Sequence, residues 1–369
     1  MIDEGINDDI ASDSVKKFVR ENRDILIYEF VNRGNNGNVY FGKRIKLNDE
    51  VVLKFYFSND NYDDKEEAVI LNQIDHPNIL KIYDLKFFPP FFAYFLSPKI
   101  MGGDLQSVID SKGVSTRRAL KIIEGILMGL TEFHSKHHLV HRDLKPGNIL
   151  ISSDNLTPII ADLGAVKKIK NANDPVTASK STFFYLPPES VIKNEYYYES
   201  DIYQVGIILF QLLRGSFHLE NPIMWCNKKE KKELDQIFNP SKKQEKLDEI
   251  IANKIRSGKL IDSSTLPEHL DLNFKRVINK ATNFHYEKRY SNPSLFLKDI
   301  HKLLRSQPDY NVTEDFLYIS HQSGKEFRIS KSSKKEVIME KRANKKKEWR
   351  KDNSHKGCID AAYKIAKRM

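Results

Sequence analysis

The sequence predicts an α+β protein with a β-rich first part, a larger helical second part and a small basic C-terminal module. Three observations predict it. Between about residues 25 and 96, short β-branched and aromatic runs surround one helical stretch. From about 104 to 306, apolar residues recur at helical spacing. Charge is also unevenly placed. Residues 301–369 carry 18 Lys and Arg against 9 Asp and Glu, whereas residues 1–300 carry 42 against 41. That asymmetry sets a boundary near Arg305–Pro308.

The 369 residues are 40% hydrophobic and 11% aromatic, ample for a packed interior, which excludes a disordered or fibrous chain. The first residues, MIDEGINDDIASD, are acidic and lack the apolar core of a signal peptide. No apolar run approaches the roughly 18 residues of a spanning helix. Cys226 and Cys358 lie too far apart in sequence to frame a disulfide scaffold. A soluble, cytoplasmic protein with no membrane partner is expected.

In chain order, Ile25–Tyr28, Val39–Gly42 and Val51–Phe57 read as strands separated by Gly, Asn and Asp turns. Residues 65–74 read as a helix that His76-Pro77 stops. Phe87–Phe92 reads as a strand–turn–strand. Arg118–His134 has the spacing of an amphipathic helix, and Ile202–Leu213 is apolar nearly all round, the pattern of a buried one. Residues 215–270 are dense in alternating charge, which suits solvated helical faces. In the basic tail, Phe316–Ile319, Phe327–Ile329 and Val337–Met339 read as strands, with a turn at Ser323-Gly324. A fourth strand lies around Trp349, and a last helix presents Ile359, Ala362, Tyr363 and Ala366 on one face.

The residues that carry chemistry are concentrated. His141-Arg142-Asp143-Leu144-Lys145-Pro146-Gly147-Asn148 precedes the apolar Ile149–Ile151, and Asp162-Leu163-Gly164 follows Ile159–Ala161. Upstream, Gly34-Asn35-Asn36-Gly37-Asn38-Val39 separates two strand candidates, and Lys54 emerges from an apolar run. Glycines in such a loop let backbone N–H groups approach phosphates that a Cβ would hold off. Taken alone, two glycines also mark ordinary hairpins, and a lysine on an apolar strand also suits an edge position reaching water.

Together these motifs resemble the eukaryotic-type protein kinase superfamily, and its serine/threonine members in particular. The resemblance covers roughly residues 25–306. It implies a bilobal fold with a small lobe at 25–97, a hinge at 98–104 and a large lobe at 105–306. Residues 1–24 are then an N-terminal extension and 307–369 a separate basic module of β-β-β-α type. The implied activity is transfer of the γ-phosphate of ATP to protein hydroxyls with Mg²⁺, or Mn²⁺ in its place.

By the same resemblance, Asp143 handles the substrate hydroxyl and Lys145 the transferring phosphoryl. Lys54 meets the α- and β-phosphates while held by Glu67; Glu66 would lie about 100° round the helix. Asn148 and Asp162 hold the metal. The glycine loop contributes Asn32, Gly34, Gly37 and Val39, with Asn32 departing from the family's first glycine. Pro98 and Ile100 align with the adenine-contacting hinge, and Asp104 with the ribose. Glu189 would pair with Arg289, and Asp201 would brace the catalytic loop. Leu163 stands where the family more often has Phe, and Pro187 where it has Ala. Lys145, and Thr182 before Tyr185, resemble the serine/threonine branch. Thr177, Ser179 and Ser181 are candidate autophosphorylation sites within reach of Arg142 and Lys167 or Lys168.

Other function classes compete. A pseudokinase or scaffold acting through the tail is the alternative, opposed by the filled Lys54, Glu67, Asp143, Asn148 and Asp162 positions. Histidines 134, 137, 138 and 141 are crowded enough to suggest zinc, but no cysteine lies near them. The tail's Lys345–Lys351 loop offers a partner site for nucleic acid or another polyanion. It distantly resembles double-stranded RNA-binding modules without their first helix.

Overall fold

The computed structural model describes residues 13–32, 38–57, 69–88, 92–111, 113–154, 156–171, 174–179, 183–331, 337–354, 359 and 362–363. Its first element is a helix, Asp13–Glu21, within the N-terminal extension to which the sequence reading assigned no element. Val15 and Val19 are buried, and the Phe18 ring meets Phe55 edge-on at 5.8 Å. Asn22 ends the helix, its side-chain oxygen accepting the N–H groups of Asp24 and Ile25 at the start of the first strand.

Five antiparallel strands form the small-lobe sheet: β1 Ile25–Asn32, β2 Asn38–Arg44, β3 Glu50–Phe57, β4 Asp84–Phe88 and β5 Phe92–Pro98. Their order is β1-β2-β3-β5-β4. Because strand side chains alternate, β3 sends Val51, Leu53 and Phe55 into the same apolar cluster as Val15 and Val19. Lys54 therefore lies on the opposite face. Residues 69–73 are helical, and Leu71 and Ile74 join the main core. Glu66, Glu67, Gly34 and Gly37 lie outside the described residues, as do Ser181, Thr182, Cys358 and Ala366.

In the large lobe, helix Thr116–Thr131 is capped by Ser115 and buries ten of its residues. Gly125 and Gly129 make room for the segment after the 69–73 helix. A Cβ at Gly125 would fall 2.8 Å from Asn78 Nδ2, and one at Gly129 would fall 2.9 Å from the Asn78 carbonyl. Asn78 in turn donates to the Pro158 carbonyl at 2.8 Å. Helix Tyr198–Leu212 is buried almost throughout, as its all-round apolar pattern predicts. Helices Leu272–Ala281 and Pro293–Ser306 pack around it and helix Thr116–Thr131. The charged stretch folds as helices Lys228–Asp235 and Pro240–Arg256, started by Asn227 and Asn239.

Three short strand pairs complete this lobe. They are β6 Leu139–Val140 with β9 Lys167–Lys168, β7 Ile149–Ile151 with β8 Pro158–Ile160, and β10 Val176–Thr177 with β11 Glu195–Tyr196. Among the described residues, no helix is long and apolar enough to cross a membrane.

The basic module is a five-stranded antiparallel sheet: β12 Asp309–Val312, β13 Leu317–Ser320, β14 Glu326–Lys331, β15 Val337–Arg342 and β16 Arg350–Lys351. The strands follow one another in order. The three expected strands are present, with β12 added ahead of them, and β16 is the strand expected around Trp349. Asp309 fastens the sheet to the large lobe. Its carboxylate accepts the Arg117 N–H at 2.8 Å and the Ser115 hydroxyl at 3.0 Å, at the start of helix Thr116–Thr131. Gln322 donates to the Leu304 and Arg305 carbonyls at the end of helix Pro293–Ser306.

Candidate active site

The turn from β6 to β7 gathers the polar residues. Asp143 is buried, and its Oδ2 accepts hydrogen bonds from Lys145 Nζ at 3.0 Å and Asn148 Nδ2 at 2.8 Å. Asn148 Nδ2 also donates to the Asp143 carbonyl at 2.7 Å, which closes the loop on itself. Asp143 Oδ1 is buried with no hydrogen-bond partner. A buried carboxylate oxygen without a donor is costly.

Asp162 follows β8 with a left-handed backbone, φ 56°. Its carboxylate pairs with Lys54 Nζ, which reaches across from β3, so the ion pair links the two lobes. β3 also sets Lys54 beside Val39 of β2 and Phe95 of β5. Pro98 ends β5 opposite Val51, and Ile100 lies two residues beyond. Asn32 ends β1 opposite Asn38. Asp104 caps helix Leu105–Asp110, accepting from the Ser107 N–H and hydroxyl at 2.8 Å each.

Beneath the loop, Asp201 is fully buried and accepts four hydrogen bonds. The donors are the N–H groups of His141 (2.8 Å) and Arg142 (3.0 Å), the Tyr196 hydroxyl (2.6 Å) and His134 Nε2 (2.9 Å). Burial alone would raise this carboxyl's pKa. The hydrogen bond and charge of His134, with His141 and Tyr196, outweigh burial and hold it below the ordinary carboxylate value. Burial, reinforced by Asp201, pushes the Tyr196 hydroxyl well above its usual range. Asp201 is therefore an anion and Tyr196 a neutral donor at neutral pH. His141 Nε2 lies 2.9 Å from the Ala161 carbonyl, so the loop is also tied to the strand that delivers Asp162. Leu71 and Leu163 share the core beside it.

Arg142, also left-handed at φ 67°, holds the segment after Asp162 from both ends. Its Nε donates to the Ala165 carbonyl and its Nη1 to the Thr177 carbonyl, each at 2.6 Å. The Ser179 hydroxyl donates back to the Arg142 carbonyl at 3.1 Å. Further on, Glu189 and Arg289 form a buried bidentate pair, both bonds 2.8 Å, and Arg289 stacks over the Tyr203 ring at 4.8 Å.

Gln204 is the residue that the sequence reading missed. Fully buried, it accepts the Leu144 N–H at 2.8 Å and the Tyr196 hydroxyl at 2.9 Å, and donates to the Tyr185 carbonyl at 3.3 Å. A glutamine in the middle of an apolar helix was the available signal, because buried amides are retained where they are hydrogen-bonded.

The structure thus brings Lys54, Asp143, Lys145, Asn148 and Asp162 to the junction of the lobes. With the Asn148 amide nitrogen taken by Asp143, its carbonyl oxygen remains for a cation. Beside the Asp162 carboxylate, that offers two hard oxygen donors, a set that suits Mg²⁺ sharing its remaining positions with phosphate oxygens and water.

Comparison with known proteins gives the same picture. The protein kinase domain model matches residues 27–304. The chain is 34% identical over 200 residues to a probable serine/threonine-protein kinase PknB of Lactococcus lactis, covering 51% of this chain and 31% of that one. It is 34% identical over 198 residues to the serine/threonine-protein kinase PrkC of Bacillus subtilis, covering 51% and 30%. It is 28% identical over 294 residues to the serine/threonine-protein kinase atg1 of Dictyostelium discoideum, covering 74% and 38%. The match thus spans about a third of the length of these relatives.

Proposed function

This chain belongs to the protein kinase family, and on that footing we propose that it transfers the γ-phosphate of ATP to serine or threonine hydroxyls of protein substrates, with Mg²⁺. The observation that carries the reading is the asymmetry of Asp143. One carboxylate oxygen is held by Lys145 and Asn148, and the other is buried without a partner. That second oxygen orients the substrate hydroxyl and takes its proton as the oxygen bonds to phosphorus and the bond to the β-phosphate oxygen breaks. Lys145, already at the same carboxylate, offsets negative charge on the transferring group.

Lys54 holds the α- and β-phosphates, steadied between Glu67 and Asp162. Asn32, Gly34, Gly37 and Val39 form the loop over the phosphates. Pro98 and Ile100 contact adenine through their backbone. Mg²⁺ held by Asn148 and Asp162 supplies the positive charge that offsets the triphosphate's as it is cleaved; Mn²⁺ has the same ligand preference. Asp104 is assigned to the ribose by alignment, although its carboxylate is engaged as a helix cap.

The segment held by Arg142 is the proposed site of autophosphorylation. Thr177 is exposed and Ser179 lies at the Arg142 backbone. A phosphate on either would meet an arginine already committed to that segment, which strengthens an existing clamp.

The deciding experiment is transfer from labelled ATP with Mg²⁺, comparing the chain with Asp143→Asn and Asp162→Asn. Transfer is expected in the parent alone. Transfer retained at the parental rate in Asp143→Asn would refute the assignment. Intact-mass analysis after incubation with ATP is expected to show added phosphate within residues 165–181, and its absence there would refute autophosphorylation of the segment.

A further inference from the structure

Most of the chain's net charge, +7 of +10, lies in residues 307–369, and the structure shows where that charge is free. On β14 and β15, three cations are matched. Arg328 pairs with Glu340, Arg342 with Glu326, and Lys341 with Asp352. At one end of the sheet they are not. The β13–β14 turn carries Lys325, and the β15–β16 connection carries Lys345, Lys346, Lys347, Arg350 and Lys351 on or beside it. All six are exposed, and none has an ion-pair partner among the described residues. The pairing of Glu326 with Arg342 brings the turn and the connection together, and the position of a Gly324 Cβ lies 4.0 Å from the Ala343 carbonyl.

Trp349 sits within this cluster. The guanidinium groups of Arg328 and Arg342 lie 4.7 and 4.3 Å from its ring, and the Tyr318 ring is 6.1 Å away. The indole is thereby fixed on the outer face of the sheet, half-buried, with Arg350 after it and the exposed Glu348 between it and Lys347.

We propose that this end of the sheet is a binding surface for single-stranded nucleic acid. Clustered unpaired cations suit a chain of phosphates, and a rigid half-exposed indole among them suits an unstacked base. The module is fastened at the start of helix Thr116–Thr131, whereas Asp143 follows that helix in the chain, and a strand bound to the module would act as a tether.

The test uses the full chain, a labelled thymidine 20-mer for anisotropy, and tryptophan fluorescence. Binding is expected at about 50 mM salt, with log K falling against log salt at a slope near −0.7 per phosphate contacted. Lys345→Gln/Lys346→Gln/Lys347→Gln should flatten that slope by about 2 while leaving phosphate transfer intact, which also reports that the fold survives. The oligomer should quench tryptophan emission. Trp349→Phe should abolish the quench, leaving Trp225 as a silent reporter, and weaken binding several-fold. No binding at low salt would overturn the proposal. So would heparin binding as tightly as the oligomer with no quench by either, which marks a charge-only surface. Preferential capture by vesicles of anionic lipid would overturn it in favour of a membrane.

Discussion

Gln204 Oε1 accepts the backbone N–H of Leu144 at 2.8 Å, one residue beyond Asp143. The same side chain donates to the carbonyl of Tyr185, in the segment that leads to Glu189. One buried amide therefore ties the loop carrying the proposed base to a segment about forty residues later in the chain.

Replacing Gln204 by Met, which keeps length and loses all three side-chain hydrogen bonds, the one from the Tyr196 hydroxyl included, should show what that tie does. The Leu144 N–H and the Tyr185 carbonyl lose a buried partner, costing about 1–3 kcal/mol each. Turnover is expected to fall about 10–100-fold, the scale of displacing a catalytic group by about an ångström. ATP affinity, which the proposal assigns to Lys54 and the small lobe, should hardly change. Steady-state kinetics with ATP and a peptide varied separately distinguishes the cases. Equal losses in ATP binding and turnover would reduce Gln204 to a packing residue.

Much of the site was legible because its geometry is local. The hydrogen bonds that shape Asp143, Lys145 and Asn148 close within five residues, so one stretch of sequence contains them. Glu189 and Arg289 are 100 residues apart, and only resemblance could join them. What escaped the reading rests on tertiary packing. Helix Asp13–Glu21 shows Val15, Phe18 and Val19 at helical spacing, but a nine-residue helix, marginal in isolation, is stable only against the sheet it covers. Strand β12 has two apolar residues among four and is fixed by Asp309 contacts made with residues near 115.

Asp309 is accordingly expected to be the residue whose loss loosens the module. In Asp309→Ala, the Arg117 N–H and the hydroxyls of Ser115 and Thr116 lose their acceptor. A helix-start carboxylate and its hydrogen bonds are worth about 1–2 kcal/mol. Denaturant unfolding followed by Trp349 emission should shift to lower concentration, with transfer at low temperature preserved. An unchanged midpoint would mean that Gln322 and the apolar contact suffice to hold the sheet.

Acid should expose a second weak point in the module. Asp352 is held by Lys341 at 2.9 Å and by the hydroxyl and N–H of Ser354. Burial would raise its pKa, but Lys341 and Ser354 outweigh that and lower it to about 2. The unfolded carboxyl titrates near 3.9. Its stabilising contribution is thus fully present above about pH 4 and is lost as pH falls towards 2. Unfolding free energies of the parent and Asp352→Asn should differ at pH 6 and converge near pH 2. Parallel curves over that range would exclude the linkage.

The N-terminal helix should matter to nucleotide handling, through one strand. Phe18 packs against Phe55 and, at 4.9 Å, against Tyr94; Phe55 also meets Tyr40 at 5.6 Å. Phe55 is next to Lys54 on β3, with the two side chains on opposite faces. Phe18→Ala opens the apolar face, at a cost of about 2–3 kcal/mol, below the 3–5 of a fully buried Phe. Loosening β3 displaces Lys54 relative to Asp162, so KM for ATP should rise more than kcat falls, and saturating ATP should restore part of the lost thermal stability. A variant that melts earlier but keeps the parental KM for ATP would confine the helix to a purely structural role. The lowered affinity instead makes helix Asp13–Glu21 a working part of the nucleotide site, acting through β3 from the far side of the sheet.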